Sequence, residues 1–113
     1  MIKIYENKIS SGDLRSFLGK PYEEMIKFVV DVRQTKIALG GELHADAEEL
    51  MLEKGSRQED LWGGNVYPDA SPETRIRYTS MINIRPSRGQ KAMEIKDAKI
   101  IGQIDQVLTK LLP

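Results

Sequence analysis

Residues 25–40 read Met-Ile-Lys-Phe-Val-Val-Asp-Val-Arg-Gln-Thr-Lys-Ile-Ala-Leu-Gly, and the pairing of this stretch with itself decides the fold. Side chains alternate sides along a strand, so Ile26, Phe28, Val30 and Val32 share one face while Val29 and Asp31 take the other. With Gln34-Thr35 as a tight turn, Val32 falls opposite Ile37 and Val30 opposite Leu39, and four aliphatic side chains share one face of an antiparallel hairpin. That register sets Arg33 opposite Lys36, two like charges beside the turn, so a slightly longer loop is the alternative. Either choice gives the same fold class.

Working outward, Ile2 and Ile4 alternate with Lys3 and Tyr5 as a short edge strand. Ser10 or Ser11 caps a short helix with Leu14, Phe17 and Leu18 on its apolar side, and Gly19 with Lys20-Pro21 ends it. On the other side of the hairpin, Asp46 and Glu49 have the spacing of a capping box, which starts a helix at Ala47 and ends it at Gly55. Leu61 to Tyr67 is a strand containing a glycine pair, and Pro68 to Pro72 a turn region.

Arg75 to Arg85 alternates as a second long strand, with Ile76, Tyr78, Ser80, Ile82 and Ile84 on one face, until Pro86 stops it. Ala92 to Ile95 is a last short strand. Asp97 caps a closing helix whose Ile100, Ile101, Ile104, Val107, Leu108 and Leu111 recur every three or four residues. The sum is an α+β single domain over 1–113: a mainly antiparallel sheet of four to six strands and about three helices. The C-terminal amphipathic helix packs on the sheet, with the helices expected on one face and the other left available.

Composition narrows the class. The chain has 113 residues, 40% hydrophobic and 30% charged, and no apolar run reaches the ~20 residues of a membrane span. No basic-then-apolar leader is visible at Met1–Glu6, and cysteine is absent, which together point to the cytoplasm and exclude thiolate chemistry and disulfides. Net charge is zero but unevenly spread: residues 42–74 carry nine acids against two bases, 75–113 eight bases against three acids, and 1–41 seven bases against five acids. Pairing between the middle and the ends is the simplest reading, and non-specific nucleic-acid binding is disfavoured.

Two constellations carry chemistry. Glu42, His44, Asp46 and Glu48 place three carboxylates near the only imidazole, where His44 could act as general base with Glu42 and Asp46 assisting, or His44, Glu42 and Glu48 could hold a divalent metal. A helix beginning near Leu43 would set His44 and Glu48 one turn apart on one face. Against this, a lone histidine is more often a hydrogen-bonded structural residue. The second constellation joins Asn83, Arg85 and Arg88 to Asn65 and Tyr67, a polar strand surface on which the arginines could grip a carboxylate or phosphate. An internal ion pair of Arg85 with Glu42 or Asp46 is the structural alternative. No nucleophile elbow and no glycine-rich phosphate loop is present. Trp62 is expected in the core.

The blocks Gly40–Glu48 (GGELHADAE), Leu61–Pro68 (LWGGNVYP) and Ile82–Pro86 (INIRP) resemble those of a family of small uncharacterised prokaryotic proteins, a domain of unknown function. The chain departs from that pattern in having Gly64 before Asn65 and in Arg88. The resemblance implies an intracellular single-domain protein and brings no activity with it. The leading expectation is a ligand-binding or protein-interaction domain whose partner is a small anion or another protein, with homodimerisation open. The alternatives are a small enzyme acting on an anionic metabolite and a structural partner in a toxin–antitoxin or regulatory complex. Convergence of Glu42, His44, Asn65, Asn83 and Arg85 on one concavity would favour the ligand or enzyme reading. An exposed apolar patch at Trp62 would favour a protein partner.

Overall fold

A buried carboxylate settles the hairpin. Asp31 ends strand β2 (Ile26–Asp31), and its two oxygens accept from the backbone amides of Arg33 and Gln34, each at 2.9 Å, from Gln34 Nε2 at 3.1 Å and from Ser56 Oγ at 2.6 Å. Residues 32–35 therefore form the loop, with Thr35 left-handed at φ 56°, and β3 is Lys36–Gly40. In the computed structural model, which describes residues 1–113, Val30 pairs with Ile37 and Phe28 with Leu39. The longer loop wins because it satisfies the carboxylate and separates Arg33 from Lys36. A slip of two residues preserves side-chain parity, so the core face is the one read from the sequence. Asp31→Ala should cost about 2 kcal/mol, because several charge-assisted bonds are lost at a site with no exposure. Urea unfolding at neutral pH checks it.

Five strands form one antiparallel sheet in the order β1-β3-β2-β4-β5, with β1 Ile2–Tyr5 at one edge, β4 Leu61–Val66 beside β2, and β5 Ile76–Arg77 outermost. Helix α1 (Ser11–Arg15), capped by Ser10, and α3 (Ala98–Leu111), capped by Asp97, cover the face carrying Phe28, Val30, Leu39 and Trp62. Ile104, Val107, Leu108 and Leu111 are buried there, as the periodicity of α3 requires.

The other face is not free, contrary to expectation. Helix α2 (His44–Glu53) lays Ala47 and Met51 on Val29, Ala38 and Leu61, so the sheet has helices on both sides. Its chain reaches that face through Gly40 and Gly41, at φ 101° and 87°. A Cβ on Gly40 would sit 2.9 Å from the Phe17 ring, and one on Gly41 would sit 3.0 Å from the Ile2 side chain. Only glycine allows so tight a reversal there.

Two further expectations are corrected. Helix α2 starts at His44, three residues before Ala47, with Leu43 as N-cap and no side-chain cap; Asp46 lies inside the first turn rather than at its head. The 75–85 segment keeps strand pairing only at Ile76–Arg77, followed by an isolated bridge from Thr79 to Glu94 and a 3-10 turn at Met81–Asn83. The 92–95 stretch contributes that bridge and a bond from the Ile95 amide to the Tyr78 carbonyl, not a strand.

Candidate functional site

The interruption of the 75–85 segment builds the site. This segment runs antiparallel beside β4: the Tyr67 amide bonds the Arg75 carbonyl and Asn65 pairs with Arg77. A continued ladder would bring residue 79 opposite Gly63. Asn83 stands there instead, four residues later, and its side chain replaces the missing backbone. Asn83 Oδ1 accepts from the Gly63 amide at 2.8 Å, and Nδ2 donates to the Gly63 carbonyl at 2.9 Å and the Met93 carbonyl at 3.2 Å. The residues looped out of the ladder arch over the second face of the sheet and enclose a cleft of about 470 Å³.

Thr79, Ser80, Met81 and Ile82 form one wall of this cleft and Leu43 with Ala45, at the head of α2, another. Lys27, Asn65 and His44 complete the lining, with Met93 at the rim. The bare backbone of Gly63 is needed here, because a Cβ on it would meet Ser80 Cβ at 2.7 Å and the His44 ring at 3.1 Å. The volume falls within the range of small-molecule sites, and about half the lining residues are apolar.

His44 is buried, with Nε2 2.7 Å from the Gly64 carbonyl. A carbonyl accepts only, so the proton sits on Nε2 and Nδ1 carries a lone pair without a protein partner. Burial pushes the pKa of His44 down to about 4, aided by the charge of Lys27 and opposed by the Gly64 carbonyl and the Asn65 amide, so the ring is neutral at pH 7. Asn65 donates from Nδ2 to the Thr79 carbonyl at 3.3 Å, which fixes its amide orientation; Oδ1 has no hydrogen-bond partner although the residue is only 9% exposed. Lys27 pairs with Asn65 across the strands and has no ion-pair partner, and its Nζ lies 5.4 Å from the Tyr22 ring centroid. Burial lowers its pKa.

Of the residues singled out in the sequence, His44 and Asn65 meet in this cleft and the others lie elsewhere. Glu42 and Asp46 are exposed and outside its lining, and no three carboxylate or imidazole groups converge where His44, Glu42 and Glu48 could jointly hold a metal. Tyr67 faces a separate hollow with Glu24, Asp69 and Ala70. Arg85 donates from Nη2 to the Leu61 carbonyl and stacks 4.2 Å from the Trp62 ring centroid, while Arg88 lies 5.1 Å from the same ring and donates to the Glu59 carbonyl at 2.7 Å.

Burial lowers the Arg85 pKa, and the negative charge of Glu48, not of Glu42 or Asp46, opposes that shift. Glu48 Oε2 and Arg85 Nε and Nη1 are all buried without partners, so the pair attract without touching. Trp62 is buried at 1% exposure and offers no surface patch. The acidic middle finds partners toward the N-terminal third, as in Arg15–Asp69 and Arg33–Asp60, and no side-chain ion pair joins it to residues 75–113.

Lys27 went unremarked in the sequence although strand parity places it on the face of Val29 and Asp31. A lone cation in the run Ile26–Val30 was the available signal. The apolar wall was hidden, because it exists only once the 80–83 turn replaces the expected strand.

The chain matches the family described as "Protein of unknown function (DUF5674)" over residues 3–111, and it belongs to that family. Neither a curated protein nor a solved structure matches it. No helix is long and apolar enough to cross a membrane.

Proposed function

We propose that the protein binds a small organic anion in the cleft at the head of α2. The observation that carries this reading is the meeting of an unpaired, partly buried cation, Lys27, with the uncapped N-terminus of a ten-residue helix across one concavity. The first amides of a helix lack intrahelical partners, and the aligned peptide dipoles give that end a partial positive charge. Leu43, Met81, Ile82 and Met93 supply apolar walls for the body of the ligand. A free inorganic ion would leave those walls unused.

The same geometry favours binding over catalysis. A general base works best with a pKa near the operating pH, and His44, held near 4, is a hydrogen-bond acceptor and a weak base. The exposed side chains of Glu42 and Asp46 lie outside the cleft and do not assist it there.

A thermal-shift series with branched-chain organic acids tests the proposal. A ligand at one hundred times its Kd stabilises by about 2.7 kcal/mol, which should raise Tm by roughly 10 °C. Lys27→Met should abolish that rise while leaving the unliganded protein folded, because Lys27 makes no ion pair to lose. No shift with any acid, or an undiminished shift in Lys27→Met, overturns the reading.

A further inference from the structure

The cleft presents two acceptors beside its positive end, and these restrict what an anion must carry. His44 Nδ1 has no hydrogen-bond partner, and its lone pair is fixed by the bond from Nε2 to Gly64. Asn65 Oδ1 has none either while the ring is neutral, although this amide lies close enough to the ring to favour its protonated form, and its orientation is fixed by the bond from Nδ2 to Thr79. Oδ1 is shielded from solvent, so His44 Nδ1 is the acceptor the cleft offers first. Met81, 73% exposed, and Met93, 42% exposed, line the same cleft with unbranched side chains that change rotamer easily. A plain carboxylate has nothing to donate to either atom and would leave both orphaned beneath it.

We infer that the ligand is an α-substituted carboxylate: its carboxylate lies between Lys27 and the head of α2, a neutral N–H or O–H on the adjoining carbon donates to His44 Nδ1 or Asn65 Oδ1, and its apolar substituent packs on Met81, Ile82 and Leu43. The inference rests on the proposed anion site and names its substrate class. A neutral donor is specified because an ammonium group would sit beside the Lys27 charge. Two sources share this chemistry, a free 2-hydroxy acid and the acylated C-terminal residue of a peptide.

Four acids with one common branched tail separate the possibilities: 2-hydroxy-4-methylpentanoate, N-acetyl-leucine, leucine and 4-methylpentanoate. Calorimetry on the wild-type chain should find the hydroxy acid or N-acetyl-leucine at least roughly ten-fold tighter than 4-methylpentanoate, the worth of one well-made hydrogen bond to a buried acceptor. Preference for N-acetyl-leucine marks a peptide C-terminus, and preference for the hydroxy acid marks a free metabolite. Leucine should fall below both.

Because His44 is the only histidine, its Nδ1 resonance in ¹⁵N spectra is unambiguous. It should move on adding a donor-bearing acid and stay in place with 4-methylpentanoate. Asn65→Val should narrow the ratio, but the comparison of ligands on the wild type needs no variant to fold. Equal affinities for all four acids, each lost in Lys27→Met, would sink the donor requirement and leave the anion site standing. Absence of binding by every acid removes both.

Discussion

Asn83→Ala should be the most damaging single truncation outside the main core, at about 3–4 kcal/mol, lowering Tm by roughly 10–15 °C in a domain of this size. Asn83 has no exposure, and all of its polar capacity goes to the strand edge: one acceptor for the Gly63 amide, two donors for the Gly63 and Met93 carbonyls. Removing it strands the buried amide and carbonyl of Gly63, while the Met93 carbonyl keeps its bond from the Ser80 amide, and each orphan costs ~1–3 kcal/mol less whatever water recovers. Asn83→Asp is the sharper comparison. It keeps the shape and the acceptor for Gly63, yet it brings a carboxylate against two carbonyl oxygens, so it should be at least as harmful. Chemical denaturation of the two variants and the wild type tests this. A loss below about 1 kcal/mol in Asn83→Ala would mean that water or a re-formed strand closes the β4 edge.

The same residue explains where the sequence stopped being legible. Alternation from Ile76 to Ile84 is a sound strand signal by period, and the segment does pair antiparallel with β4 at Ile76–Arg77. What the pattern does not carry is the substitution of a side-chain amide for a backbone rung, which is a tertiary event and leaves Met81 and Ile84 exposed at 73% and 40%. By contrast, α3 and the core face of the β2–β3 pair follow apolar periodicity and were readable, whereas the register of that pair is set by the Asp31 loop and lay two residues from the expected one. The start of α2 was misplaced because Asp46 and Glu49 offer a local cap. Packing of His44 on Gly64, and of Ala47 and Met51 on the sheet, outweighs that cap and extends the helix back to the glycine turn. His44 and Asn65 were legible as polar residues at a strand end and a helix start; their meeting required the crossing of α2 over the second face.

The burial of His44 also fixes how the protein should respond to acid. A folded pKa of about 4 lies below the ordinary histidine value near 6.5, so between these limits the unfolded chain binds the proton and the folded chain does not. The stabilising contribution is therefore complete above about pH 6.5 and is lost as pH falls toward 4. The full linkage is about 3 kcal/mol, of which about 2 should disappear between pH 7.5 and 5. The first turn of α2 works in the same direction, since an imidazolium there would oppose the positive end of the helix. No other histidine is present to confuse the window, and ordinary carboxylates titrate below it.

Urea unfolding at intervals from pH 7.5 to 5 should show the decline, and His44→Gln, which cannot titrate, should flatten it even if that variant starts from lower stability. A wild-type curve as flat as that of the variant would mean that the ring reaches water when protonated and the cleft opens at little cost. In that case the donor-accepting Nδ1 would also titrate near neutrality, and ligand affinity would weaken between pH 7.5 and 6. With the ring held neutral as the structure has it, affinity should stay constant over that interval, so one pH series of binding measurements checks the same buried imidazole from the side of the ligand.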